Sequence, residues 1–189
     1  MAAREDDSPS AWTRRVPVAA LAVAGCLVSV YLALYQYQEL DRVWDPVFGA
    51  GSERVLTSPL SRALPISDAA LGAVAYLAEA VLEVAGGRRR WRERSWVVLL
   101  LGITAAALAV VGVGLVISQP VLAHGFCTLC LTSAAISMVV AALVRTEVLA
   151  AWRVVRQRRR DGQTLPQALC VTNHPTTTRP RAGDARRAR

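Results

Sequence analysis

The chain has 189 residues, 53% of them hydrophobic, and a positive mean hydropathy, which suits one compact domain in a membrane and not an ordinary soluble globule. Its net charge of +8 comes entirely from arginine, since no lysine is present. Those arginines flank apolar runs and do not interleave with aromatics, so a nucleic-acid-binding surface is disfavoured.

In chain order, residues 1–15 form an N-terminal segment carrying Arg4, Arg14 and Arg15. The first apolar stretch, Val16 to Tyr37, is longer than a signal-peptide core and is followed by no clear small-x-small cleavage site, so it is read as a span. Cys26 near its middle fits a small packing residue. Residues 38–67 form a loop in which three arginines are balanced by Glu39, Asp41, Asp45 and Glu53. Its glycines and prolines predict turns, and Trp44 and Phe48 suit either a cap on the bundle or an anchor at the membrane interface.

Asp68, a residue suited to a helix N-cap, opens the second stretch, Asp68 to Ala85. This stretch is short and carries Glu79 and Glu83 one turn apart. Carboxyls at membrane depth are functional candidates, although Glu83 lies near enough to the following arginines to pair there. Arg88, Arg89, Arg90, Arg92 and Arg94 fill the link to the third stretch, Ser95 to Ile117. The next link, 119–126, has no arginine. The fourth stretch, Cys127 to Ala151, contains Arg145 and Glu147 near its end and is followed by five more arginines between Arg153 and Arg160. The Thr-, Pro- and Arg-rich segment 161–189 is expected to be a disordered tail.

The pattern predicts an all-α membrane protein: a bundle of four transmembrane helices over residues 16–151 with an outer loop, 38–67, between helices one and two, and a basic tail over 152–189. The positive-inside rule puts both termini and the 88–94 link in the cytoplasm. Cys127-Thr-Leu-Cys130 then opens toward the outer, oxidising side. A thiolate at the start of a helix is favoured by the helix N-terminus, which suits redox exchange. Two other readings stay open. A zinc site needs four ligands, and only His124 is near, His174 falling on the opposite face. A structural disulfide would close a very small loop and stabilise little.

Phe126-Cys-Thr-Leu-Cys130-Leu-Thr-Ser133, Val55-Leu-Thr-Ser58, Pro65-Ile-Ser-Asp-Ala-Ala-Leu-Gly72 and Tyr76-Leu together resemble the vitamin K epoxide reductase family over about residues 16 to 150. The resemblance implies four core helices around a membrane quinone of ubiquinone or menaquinone type. It implies a CxxC at the outer end of the last helix and location in the inner (plasma) membrane. Cys130 would face the quinone, and Cys127 would stay accessible for exchange with a dithiol. Bacterial relatives use a thioredoxin-like dithiol partner and so support disulfide formation in secreted proteins. Asp68, Ser58, Phe126 and Tyr76 would contact the quinone.

The chain departs from the family pattern in three ways. The outer loop has no cysteines, and Trp44 to Ser52 occupies the region where many members carry two. Asp68 stands where animal members have asparagine, and Ala134 where they have tyrosine. The alternative from a different class is a non-catalytic protein that binds a quinone or a partner and whose CxxC is structural.

Overall fold

The computed structural model of the chain describes residues 10–49, 51–58 and 67–170. Arg4, Pro65, Ile66 and His174, each used in the sequence reading, lie outside the described residues. Every regular element among the described residues is a helix; one isolated β-bridge joins Arg94 to Cys170.

The chain runs α1 (Trp12–Gln36), α2 (Gly51–Leu56), α3 (Asp68–Val84), α4 (Arg90–Glu93), α5 (Ser95–Ser118), a π turn (Gln119–Ala123), α6 (Thr128–Arg160) and α7 (Leu165–Leu169). Three of these are long and apolar enough to cross a membrane: Trp12–Gln36, the continuous Ser95–Ala123, and Thr128–Arg160. α3 has 17 residues. At roughly 1.5 Å per residue it is about 25 Å long, short of a ~30 Å hydrocarbon core.

α1 packs chiefly on α3 and α5 on α6, with α1 also against α6 and α3 against α5. Small residues permit the close approaches, as is usual where no water drives helices together. Gly25 of α1 receives the Tyr76 ring so closely that a Cβ there would stand 2.5 Å from it. Two apolar clusters fill the bundle. Val18, Leu101, Ala105, Val140 and Val144 form one. Leu32, Val43 and Leu56 form the other, with Tyr31, Tyr35, Ala69, Leu129 and Cys130 packed against it. Outward faces remain apolar, as at Leu27, Val74, Ile103 and Val110, which is the pattern of helices solvated by lipid.

The arginine-rich end is held by buried charge. Arg90 lies between Glu83 (2.8 Å) and Glu147 (2.7 Å), so the expected pairing of Glu83 with this link is made by Arg90. The last carbonyls of α3 have no partner within their helix. Arg15 and Arg90 supply donors to them: Arg15 reaches the carbonyls of Glu83, Ala85 and Gly86, and Arg90 those of Leu82, Glu83 and Ala85. Ser10 donates to Glu147.

Residues 161–170, expected in the disordered tail, instead fold back on this end. A capping box of Thr164 and Gln167 starts α7, and Arg158 donates to the carbonyls of Ala168 (3.1 Å) and Arg92 (2.7 Å). Composition could not reveal these specific anchors. A cavity of about 430 Å³ lined by Trp96, Pro166, Leu169 and Cys170 lies here, at the far end of α6 from Cys127.

Candidate active site

The approach to the cysteines is set by Pro120. It has no N–H to continue the α5 ladder, and the chain widens into the π turn before His124 turns it in a left-handed conformation (φ 48°). Cys127 is extended and serves as the N-cap of α6, one residue before the helix proper. Its sulfur accepts the backbone N–H of Cys130 at 3.2 Å. Both thiols are free. Cys127 is fully buried, while Cys130 is partly buried and faces the apolar cluster of Leu32, Val43 and Leu56.

The segment between α1 and α3 closes over this pair through Asp45. One carboxylate oxygen accepts the N–H of Thr128 (2.9 Å), and the other accepts the Thr128 hydroxyl (2.5 Å) and the N–H groups of Val47 and Phe48 (2.9 Å each). The Ser52 hydroxyl also donates to Asp45. Asp45 therefore forms the loop's own turn and caps a helix far away in sequence, where a negative charge is favoured. Burial opposes its charge, but the hydrogen bonds from Ser52, Thr128 and Phe48 outweigh that and hold its carboxyl well below the usual range.

Backbone packs on backbone beside it: a Cβ at Gly51 would lie 2.6 Å from the Phe126 carbonyl oxygen, so only glycine fits there. The rings of Phe48 and Phe126 meet at 5.5 Å. On the other side Gln119 accepts the Cys127 N–H at 3.1 Å through its side-chain oxygen, and its buried Nε2 has no hydrogen-bond partner among the described residues.

These contacts lower the Cys127 thiol to about 7. The largest cause is a hydrogen bond from the Cys130 thiol. Burial opposes it, the Ser52 hydroxyl and the Cys130 N–H support it, and the nearby Asp45 charge opposes it. A substantial share of Cys127 is then thiolate near neutrality, the species that attacks disulfides.

The structure places the other sequence candidates as follows. Phe126 directly precedes the pair. Asp68 lies within electrostatic range of Cys130 but is not the N-cap. Ser67 holds that position by accepting the N–H of Ala70 (3.1 Å), while Asp68, the first helical residue, accepts Gln36 Nε2 at 2.6 Å. Ser58 is buried just after α2. Tyr76 lies deeper, its hydroxyl donating to the Ser133 carbonyl (2.6 Å) and 2.6 Å from the Ser137 hydroxyl. Ala134 packs against Gly112 of α5.

Cys127 is not accessible as the resemblance implied: it is fully buried, with Asp45 and Ser52 packed at the head of α6 beside it. Sequence reading missed the positioning group of Asp45, Ser52, Gly51 and Gln119. Asp45-Pro46 signalled a turn, but nothing local pointed to Thr128.

Two free thiols at the head of a membrane-length helix, the first buried and acidified, are chemically suited to a membrane thiol oxidoreductase. The model of the vitamin K epoxide reductase family matches residues 16–145, well over half of the chain, and the chain belongs to that family. Comparison with curated proteins returned no match.

Proposed function

We propose that the chain is a four-span membrane thiol–quinone oxidoreductase. In this reading α3 is the fourth span, both termini and the Arg88–Arg94 link are cytoplasmic, the membrane is the inner (plasma) membrane, and the cysteines open outward. The observation that carries the proposal is the Cys127–Cys130 pair itself. One sulfur is acidified at a helix cap, and the other stands against an apolar cluster able to receive a quinone ring.

A thiolate of an external dithiol, such as a thioredoxin-like protein, attacks Cys127 of the oxidised pair, and Cys130 leaves as thiolate. The partner's second thiolate then releases Cys127, so the partner is oxidised and the pair reduced. Cys130 adds to a quinone of ubiquinone or menaquinone type, and the Cys127 thiolate attacks Cys130 to re-form the disulfide. Two electrons pass to the quinone, which takes up two protons and leaves as quinol. Phe126, Ser58 and Asp68 border the quinone, and Tyr76 forms its floor, since its hydroxyl is already engaged with α6. The cover over Cys127 must lift for exchange, and the external dithiol then attacks Cys127 directly, with no loop cysteine between them.

The burial of Cys127 also favours a second reading, a non-catalytic quinone- or partner-binding protein with a structural CxxC. Replacing Cys130 with Ala and assaying disulfide formation in secreted proteins separates the two. Loss of disulfide formation supports the enzyme, and unchanged disulfides at normal membrane abundance support the binding protein.

A further inference from the structure

The buried residues of α3 are Tyr76, Glu79 and Glu83. Their spacing of three and four puts them on one face, one turn apart. Leu71, Val74, Leu77 and Val81 face outward, so this helix turns its polar stripe to the bundle and its apolar side away. Tyr76 and Glu83 have partners there: the hydroxyls and carbonyl of α6 in one case, Arg90 in the other. Glu79 has none. It is fully buried, and neither carboxyl oxygen meets a hydrogen-bond donor among the described residues. Burying an unpartnered carboxyl is costly in either form, and far more so as the anion. An apolar residue would serve packing better, so the group points to function.

Its position suggests which function. Glu79 stands one turn from the ion pair that reaches the arginine-rich end. On the other side it is one turn along α3 from Tyr76, whose hydroxyl joins Ser133 and Ser137 of α6. Ser133 is itself one turn from Cys130. Hydroxyls can accept one proton while donating another, so this cluster can pass a proton along.

We propose that Glu79 carries a proton from the arginine-rich end of the bundle to the quinone reduced at Cys130, a role that rests on the oxidoreductase reading above. The dithiol supplies two electrons and becomes a disulfide. One of its two protons goes to the quinone, and the other leaves to the outer aqueous side. Glu79 donates the quinone's second proton through the Tyr76–serine hydroxyls and is reprotonated from the arginine-rich end. Each turnover thus forms one disulfide and one quinol and moves one proton inward-to-outward across the bundle.

The test uses the full chain in liposomes, with dithiothreitol as reductant and a short-chain benzoquinone as acceptor. Glu79→Gln keeps the side-chain volume but cannot carry the proton. It is expected to slow quinol formation by about ten-fold or more, while dithiothreitol still reduces the Cys127–Cys130 disulfide at the wild-type rate. Proton uptake from the arginine-rich side, read with a pH dye confined to that side, is expected to vanish, and Glu79→Asp to restore it in part. Wild-type quinol formation and proton uptake in Glu79→Gln overturn the proposal. Should that variant fail to fold, dicyclohexylcarbodiimide modification of wild-type Glu79 replaces it. Quinol formation should fall in step with modification, and full activity at full modification overturns the role. Wild-type cysteines that never respond to the quinone sink the oxidoreductase reading, and this inference with it, before any variant is compared.

Discussion

Asp45 joins the segment between α1 and α3 to the head of α6 with one carboxylate. Replacing it with Asn keeps its shape but removes the charge facing the helix N-terminus. We expect Asp45→Asn to lower stability by about 1 kcal/mol, as for loss of a helix cap, measured by thermal unfolding in detergent, and to speed alkylation of Cys127 as the loop loosens. Because folding depresses the Asp45 carboxyl, its contribution is fully present above the unfolded value of about 3.9 and is lost only as pH falls through the lower folded value. Exchange protection of the Val47 and Phe48 amides should therefore persist at about pH 4 and fade in stronger acid. Cys127 titrates in the opposite functional range. Its alkylation rate should rise with a midpoint of about 7, and Cys130→Ala, which removes the main donor to its sulfur, should move that midpoint toward the ordinary thiol range. At this scale the two cysteines were legible because their spacing is local. Asp45, Ser52 and Gln119 were not, because each matters only through a partner brought to it by the fold.

Among the elements, α3 shows what a sequence pattern can and cannot convey. Glu79 and Glu83 marked it as unusual, and the pairing of Glu83 followed from the nearby arginines. The burial of all three of Tyr76, Glu79 and Glu83 on one face required knowing which side meets α1 and α5. The start of the helix was legible to within one residue, but the cap is Ser67, whose backbone is still non-helical, and Asp68 is already the first helical residue. Gly25 gives a direct check on how α1 and α3 meet. Gly25→Ala would push a Cβ into the Tyr76 ring. We expect a cost of about 1–3 kcal/mol in unfolding, the usual penalty for overpacking, and a larger cost than for Tyr76→Phe, which removes only hydrogen bonds worth about 1 kcal/mol.

For the whole molecule, apolar runs and arginine placement were enough to indicate a helical membrane protein. They gave three helices of spanning length and left the shorter α3 dependent on topology. The inward fold of residues 161–170 was hidden because it rests on single contacts of Arg158 and a capping box. The buried set of Glu83, Arg90 and Glu147 ties α3, the link and α6 together. Arg90→Leu should destabilise the bundle by about 3–5 kcal/mol by stranding two buried carboxylates, whereas replacing all three with leucine should recover most of that loss in the same unfolding measurement.

The proposed chemistry centres on one dithiol, and its most direct test is the redox state of Cys127 and Cys130 in membranes. Thiol trapping with and without added quinone reads it, after reduction by dithiothreitol. The account predicts that quinone converts the pair from two trapped thiols to an untrapped disulfide, and that Cys130→Ala abolishes the conversion. A pair whose trapping is the same with and without quinone would contradict it.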